Sequence, residues 1–202
     1  VSGGDPAEDL DARLRDAWAL LAAAVRDRRS PLHCPALATT EADGAPSARI
    51  VTLRGADAER RLLWCHADLR SPKAAEAADR TAAWLFYDKA RGLQVRARGP
   101  TAVHAGNDRA RAAWEASRRL ARRCYLAEPG PGGALDGPGC GLSAEVLGEV
   151  PDAAALEAGW PRFCVVETTV EEIDRVDLSI GGHRRSTHAW DGERWTGSWR
   201  VP

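Results

Sequence analysis

The chain has 202 residues, enough for one domain with a substantial core. Acidic and basic residues nearly cancel to a formal net charge of -1, which argues against a general nucleic-acid or membrane-surface binder, since either carries a basic excess. The five cysteines are scattered, with no Cys-x-x-Cys pair, which disfavours a disulfide framework or a zinc site and suits a reducing cytoplasm.

Residues 1–5 show no basic segment leading into an apolar one, and no run reaches the roughly 20 apolar residues of a membrane-spanning helix. A soluble, cytoplasmic protein is therefore expected. Of 28 basic residues only Lys73 and Lys89 are lysine, so arginine reflects composition as much as function.

Asp5-Pro6-Ala7-Glu8 is a helix start: an aspartate cap, proline in the first turn and glutamate three residues after the cap. Leu10, Leu14, Trp18, Leu21 and Val25 then recur at helical spacing, predicting an amphipathic helix to about Arg28. Residues 1–31 are read as this helix packed on a domain of residues 32–202.

Residues 37–54 are two apolar runs joined by Glu41-Ala42-Asp43-Gly44-Ala45-Pro46, a hairpin signal because glycine supplies the positive φ of a tight turn. Alternation puts Ile50, Thr52 and Arg54 on one face, and Arg49, Val51 and Leu53 on the other. Two arginines on an otherwise apolar strand are either rim residues reaching water or an anion site, since guanidinium forks suit phosphate oxygens.

Residues 61–66 form a third strand. The following Asp68-Leu69-Arg70-Ser71-Pro72-Lys73 leads into a short helix that Ser71 can cap and Pro72 can open. Free amides, a hydroxyl, Arg70 and Lys73 would make a phosphate site there; an ordinary capped surface helix is the alternative.

Residues 81–87, nearly all apolar, predict a fourth strand buried on both faces. Residues 93–104 predict a fifth, with Gln94, Arg96 and Arg98 on a face that must meet water, a partner subunit or a ligand.

Residues 107–123 predict a helix capped by Asn107, with Trp114, Ser117, Leu120, Ala121 and Cys124 as its packing stripe and a solvated basic face elsewhere. The Gly/Pro-rich stretch 128–141 lacks the Gly-Lys-Ser/Thr ending of a nucleotide P-loop and reads as a mobile loop or lid. A strand follows at 163–170, residues 176–185 lead through a turn to 187–190, and Asp191-Gly192 turns the chain into a terminal hairpin. With no βαβ rhythm, the expected fold is mainly β, a closed or partly closed barrel with flanking helices.

No G-x-S-x-G, H-E-x-x-H or post-strand G-x-G-x-x-G occurs, and His183 and His188 lack a carboxylate pair for a metal. What remains, arginine, lysine, serine and glutamine on strands and at one helix start, can hold a phosphorylated aromatic cofactor that carries the chemistry.

Several segments, in order, resemble the pyridoxamine 5′-phosphate oxidase-like, FMN-binding split-barrel family. Arg49-Ile50-Val51-Thr52-Leu53-Arg54 is similar to its R-x-V-x-L-K/R strand. His66-Ala67-Asp68-Leu69-Arg70-Ser71-Pro72-Lys73 is similar to its T-(N/D)-x-x-S-R-K loop, in an R-S-P-K form. Gln94-Val95-Arg96-Ala97-Arg98-Gly99 resembles its R-Q-V-R-x-x-G strand, and residues 114–132 and 173–202 resemble later parts of the same pattern.

The resemblance implies a six-stranded antiparallel split barrel of Greek-key type, carrying the helical insertion 107–124 and the loop 128–141. It also implies a homodimer with FMN held between the subunits. Arg49, Ile50, Val51 and Thr52 would lie along the flavin, Arg70, Ser71 and Lys73 would hold its phosphate, and Gln94 would face it. Arg54, Trp114, Arg118 and Arg184 would meet a small-molecule substrate.

The sequence departs from the family at three positions. Ala67 stands where the family has a flavin-contacting threonine, and Ser186 and His188 stand where it has a histidine and an arginine serving substrate and flavin. The implied function is an FMN-dependent oxidoreductase; the alternative is a non-catalytic flavin- or other-cofactor-binding dimer acting as carrier or sensor.

Overall fold

The computed structural model describes residues 9–202. The helix start read at residues 5–8 lies outside them. The chain divides into two compact units: one holds the chain up to Cys65 with Asp79–Thr101 and Glu167–Pro202, the other holds His66–Ala78 and Ala102–Val166.

In the first unit, helix α1 (Leu10–Arg26) is capped by Asp9, whose carboxylate accepts the Asp11 N–H at 2.9 Å. It buries Leu14, Trp18 and Leu21 of the expected stripe together with Ala17 and Ala24, while Leu10 and Val25 at its ends are only half-buried. Strands β1 (Ala36–Thr40), β2 (Pro46–Ile50), β3 (Gly55–Asp57), β4 (Leu62–Asp68), β5 (Arg80–Asp88) and β6 (Leu93–His104) follow, with β7 (Phe163–Thr169), β8 (Glu172–Asp177), β9 (Arg184–Trp190) and β10 (Trp195–Arg200) later in the chain; the last residues of β4 and β6 and the first of β7 belong to the second unit. The sheet runs β10-β9-β8-β6-β5-β1-β2 without closing, antiparallel at every step, as a split barrel requires.

The β1–β2 turn is the expected one. Gly44 sits at φ 92°, and its N–H donates to the Glu41 carbonyl at 3.0 Å. The strand after it is shorter than the sequence predicts and ends at Ile50. Val51 and Leu53 still donate to the Pro35 and His33 carbonyls, at 2.9 Å each, but Pro35 has no N–H to return the second bond of the ladder.

Strand β5 corrects a second expectation. Trp84 and Phe86 are fully buried, but Leu85 and Tyr87 are 40% and 48% exposed. An apolar run marks burial potential on both faces, and in this fold only one of them is covered by the chain itself.

The core of this unit stacks Trp84 on Phe86, with ring centroids 6.3 Å apart. The Trp84 indole N–H donates to Thr168 Oγ1 at 2.9 Å, and Thr168 in turn meets Thr101 Oγ1 at 2.8 Å, so these three buried polar groups are satisfied.

The second unit holds α2 (Pro72–Ala77), α3 (Asp108–Ala116), α4 (Arg119–Arg122), α5 (Ala144–Gly148) and α6 (Ala153–Leu156), the last two outside any sequence-based reading. Asn107 caps α3 as expected, its side chain accepting the Ala110 N–H at 3.0 Å. The single helix expected over 107–123 is broken. Ser117 turns its hydroxyl back onto the Ala113 carbonyl at 2.8 Å, and Arg122 takes the Glu115 and Ser117 carbonyls at 2.7 and 3.1 Å. Past the break, Leu120 and Cys124 are exposed rather than packed, and Tyr125 is buried instead. Trp114, Tyr125 and Phe163 meet edge-to-face at 5.1–5.7 Å and form the core here.

Candidate functional site: cation-bearing strands and turns

In the first unit, Arg49 lies back along its own hairpin. Its guanidinium donates to Thr39 Oγ1, to Ser47 Oγ at 2.5 Å and to the Leu37 carbonyl at 3.4 Å. Ile50 is 67% exposed and Val51 is buried, so the alternation between the two faces holds. Thr52 is half-buried, and Arg54 is exposed with no side-chain partner among the described residues.

Register places Ile50, Ala36 and Leu85 side by side on β2, β1 and β5, and Tyr87 beside Gln94 on β5 and β6. Ile50, Leu85, Tyr87 and Gln94 thus share one sheet face. The Gln94 amide is half-buried and makes no hydrogen bond with a described residue.

Farther along that face the charges are spent within the sheet. Arg98 pairs with Glu172 at 2.6 Å, while Arg96 and Arg185 share Asp174. Burial opposes the Asp174 charge, but the hydrogen bonds from Arg185 and Arg96 outweigh it and hold the carboxyl below its usual range.

Arg184 falls on the opposite side of β9, where it lines a cleft of about 690 Å³ with Ala12, Arg13, Asp16, Arg175 and Asp177. Ser186 and His188 lie on that same side and are buried against α1. Ser186 Oγ accepts from Arg13 Nε at 3.0 Å, and His188 Nε2 meets the Leu10 carbonyl at 2.9 Å.

In the second unit, Ser71 stands at the N-cap of α2, but its hydroxyl donates backward to the Asp68 carbonyl at 2.5 Å instead of capping the helix. The helix is six residues long, too short for its dipole to matter much. Arg70 is held by Asp68 and Glu128, two acids that sequence reasoning did not connect to it. Lys73 has no hydrogen-bond or ion-pair partner among the described residues. The nearby Cys164 thiol is pushed up to about 12 by burial, so it is no nucleophile.

Trp114 is fully buried and gives its indole N–H to Glu157 at 2.8 Å, which places it in the core rather than on a substrate-facing surface. Arg118 is exposed at the break between α3 and α4, with no side-chain partner among the described residues. No helix among the described residues is long and apolar enough to cross a membrane.

Residues 15–105 match the family model described as pyridoxamine 5′-phosphate oxidase, FMN-binding domain. Over this segment the chain is similar to that FMN-binding family. The match encloses residues 49–54, 70–73 and Gln94, and ends before Trp114, Arg118 and Arg184.

The chain is 41% identical over 88 residues to a pyridoxine/pyridoxamine 5′-phosphate oxidase of Nitrobacter winogradskyi, covering 43% of this chain and 39% of that protein. A protein of the same description from Bradyrhizobium diazoefficiens is 36% identical over 100 residues, covering 49% and 45%. The chain thus spans less than half the length of the curated oxidases it matches.

Among solved structures, a pyridoxamine 5′-phosphate oxidase-related, FMN-binding protein of Nostoc punctiforme aligns at TM-score 0.73 and 22% identity, covering 93% of this chain and 96% of that one. PhzG of Burkholderia lata, in complex with tetrahydrophenazine-1-carboxylic acid, aligns at TM-score 0.66 and 20% identity over 100% and 99%. At such identities these two establish the oxidase-type fold alone.

Proposed function

We propose that this chain is an FMN-binding flavoprotein and an oxidoreductase related to pyridoxamine 5′-phosphate oxidase, acting on a small substrate that can carry a phosphate. One observation carries the reading: the FMN-binding family match over residues 15–105 encloses every residue proposed here for the cofactor.

The side chains fit such a group. Lys73 keeps an uncommitted ammonium for a phosphate, with Ser71 in the same turn and Arg70 held there by Asp68 and Glu128. Gln94 keeps an uncommitted amide for a ring edge, and Ile50 offers exposed apolar surface with Val51, Thr52 and Arg49 along the same stretch. Bound FMN would supply two-electron, hydride-type chemistry. The protein's part is to bind it, exclude water and orient substrate through Arg54, Arg118 and Arg184.

The exposed Ile50, Leu85 and Tyr87 support a homodimer that covers this face, with the cofactor between subunits. Five free cysteines, two of them buried, support a cytoplasmic location.

A second reading, a flavin carrier or sensor without oxidase activity, is favoured by Ser186 and His188. These positions are spent on anchoring α1 and lie buried beneath it.

The test is direct. Purified protein should be yellow or take up added FMN with a flavin spectrum; colourless protein that refuses FMN ends both readings. Oxygen consumption with pyridoxamine or pyridoxine 5′-phosphate would support the oxidase, whereas flavin binding without turnover of either would favour the carrier.

A further inference from the structure

Arg70 is nearly saturated by its own chain. Nε donates to Asp68 Oδ1 at 3.0 Å, Nη2 to Asp68 Oδ2 at 2.8 Å and to the Ala127 carbonyl at 3.0 Å, and Nη1 to Glu128 Oε2 at 3.1 Å. Four of the five guanidinium N–H groups are thereby used. Asp68 is only 7% exposed and also accepts the Arg70 backbone N–H at 2.9 Å. The second oxygen of Glu128 pairs with Arg162, which donates to the Tyr125 and Ala127 carbonyls at 3.2 and 3.3 Å. Two carboxylates face two guanidiniums, so the cluster is neutral and leaves Lys73 as the uncommitted cation of the turn.

The same cluster sits at the base of the Gly/Pro-rich loop. The Glu128 N–H donates to the Gly141 carbonyl at 2.7 Å and closes the loop, whose residues 131–140 are all exposed. Gly130 lies directly against Arg70: a Cβ there would stand 3.0 Å from Arg70 Nε. A forked grip on a phosphate needs two adjacent guanidinium N–H groups. Arg70 has one N–H left, so it could provide them only by giving up a bond to Asp68, Glu128 or the Ala127 carbonyl, and either of the first two would strand a carboxylate, buried in the case of Asp68.

We propose that Arg70 is a positioning residue: it ties the base of the 128–141 loop to the turn that presents Lys73, and leaves the charge for an anionic ligand to Lys73. The ligand half rests on the FMN reading above; the tether half does not.

The experiment uses the full chain with Arg70→Gln, Glu128→Gln, Arg70→Lys and Lys73→Gln, reading amide hydrogen exchange over residues 126–142 and the Kd for FMN. Arg70→Gln and Glu128→Gln should each speed exchange of the Glu128 amide at least about tenfold, because local opening governs it. Both should change the Kd for FMN less than about threefold, far below the loss of a charged hydrogen bond to the ligand. Lys73→Gln should raise the Kd by at least about tenfold and leave exchange untouched.

Arg70→Lys keeps the charge but loses the fork, so exchange should stay fast; full protection would overturn the tether. The proposal also fails if Arg70→Gln weakens FMN as much as Lys73→Gln does while Glu128→Gln leaves exchange unchanged. Parent protein that binds no FMN would end the cofactor reading alone, because the exchange measurement still decides the tether.

Discussion

Arginine dominates the basic residues of this chain, and the structure sorts its arginines by partner. Arg13, Arg70, Arg96, Arg98, Arg175 and Arg185 are committed to acids, whereas Arg54, Arg118 and Lys73 stand uncommitted among the described residues. Sequence position could not make that division, because partners such as Glu128 for Arg70 and Asp177 for Arg13 lie far away along the chain.

His188 is the residue with a pH consequence. Burial pushes its pKa below the ordinary 6.5, opposed by its hydrogen bond to the Leu10 carbonyl, with Arg13 lowering it further and Asp11 raising it. The folded state therefore keeps the ring neutral where the unfolded chain takes a proton, so this contribution is full above about pH 6.5 and is lost as pH falls below it. Thermal melts from pH 7.5 to 5.5 should show stability declining in the parent and a flatter profile in His188→Leu. That variant should also lose about 0.5–1.5 kcal/mol at pH 7.5, through the lost hydrogen bond to the Leu10 carbonyl. Equal slopes in the two proteins would remove His188 as the cause.

At the scale of elements, alternation and turn chemistry were readable wherever one face was apolar and the turn needed glycine, as at β1–β2 and β6. They misread β5, whose second apolar face the chain leaves open, and the α3–α4 segment, where the Ser117 hydroxyl and the Arg122 guanidinium take the carbonyls that would continue the helix. Gly99 on β6 shows what tertiary contact adds. A Cβ there would lie 1.9 Å from the Thr169 carbonyl oxygen, a backbone atom that cannot swing aside. Gly99→Ala should cost about 1–3 kcal/mol or more, read as a lowered urea midpoint. A midpoint equal to the parent's would mean that the two strands separate easily there.

For the whole molecule, the exposed row of Ile50, Leu85 and Tyr87 calls for a cover, and the proposed cofactor face shares it through Gln94. Sedimentation should report about twice the 21.7 kDa chain mass. Leu85→Asp, which sets a charge against that cover, should shift the mass toward one chain and reduce flavin retention with it. A parent that sediments as a single chain would leave the face to some other partner.

The sequence by itself determined the antiparallel β class, the helix stripe of α1, the Asp43-Gly44 turn and the motif order that led to the FMN-binding family. Each depends on local periodicity, backbone stereochemistry or short-range pattern, which the chain carries without needing its fold. Only the tertiary structure decided that Ser71 does not cap, that Arg70 is held by Asp68 and Glu128, that Trp114 is core, and that Ser186 and His188 hold α1. Those outcomes turn on which donor meets which acceptor across long separations, and such pairings exist only once the chain has folded.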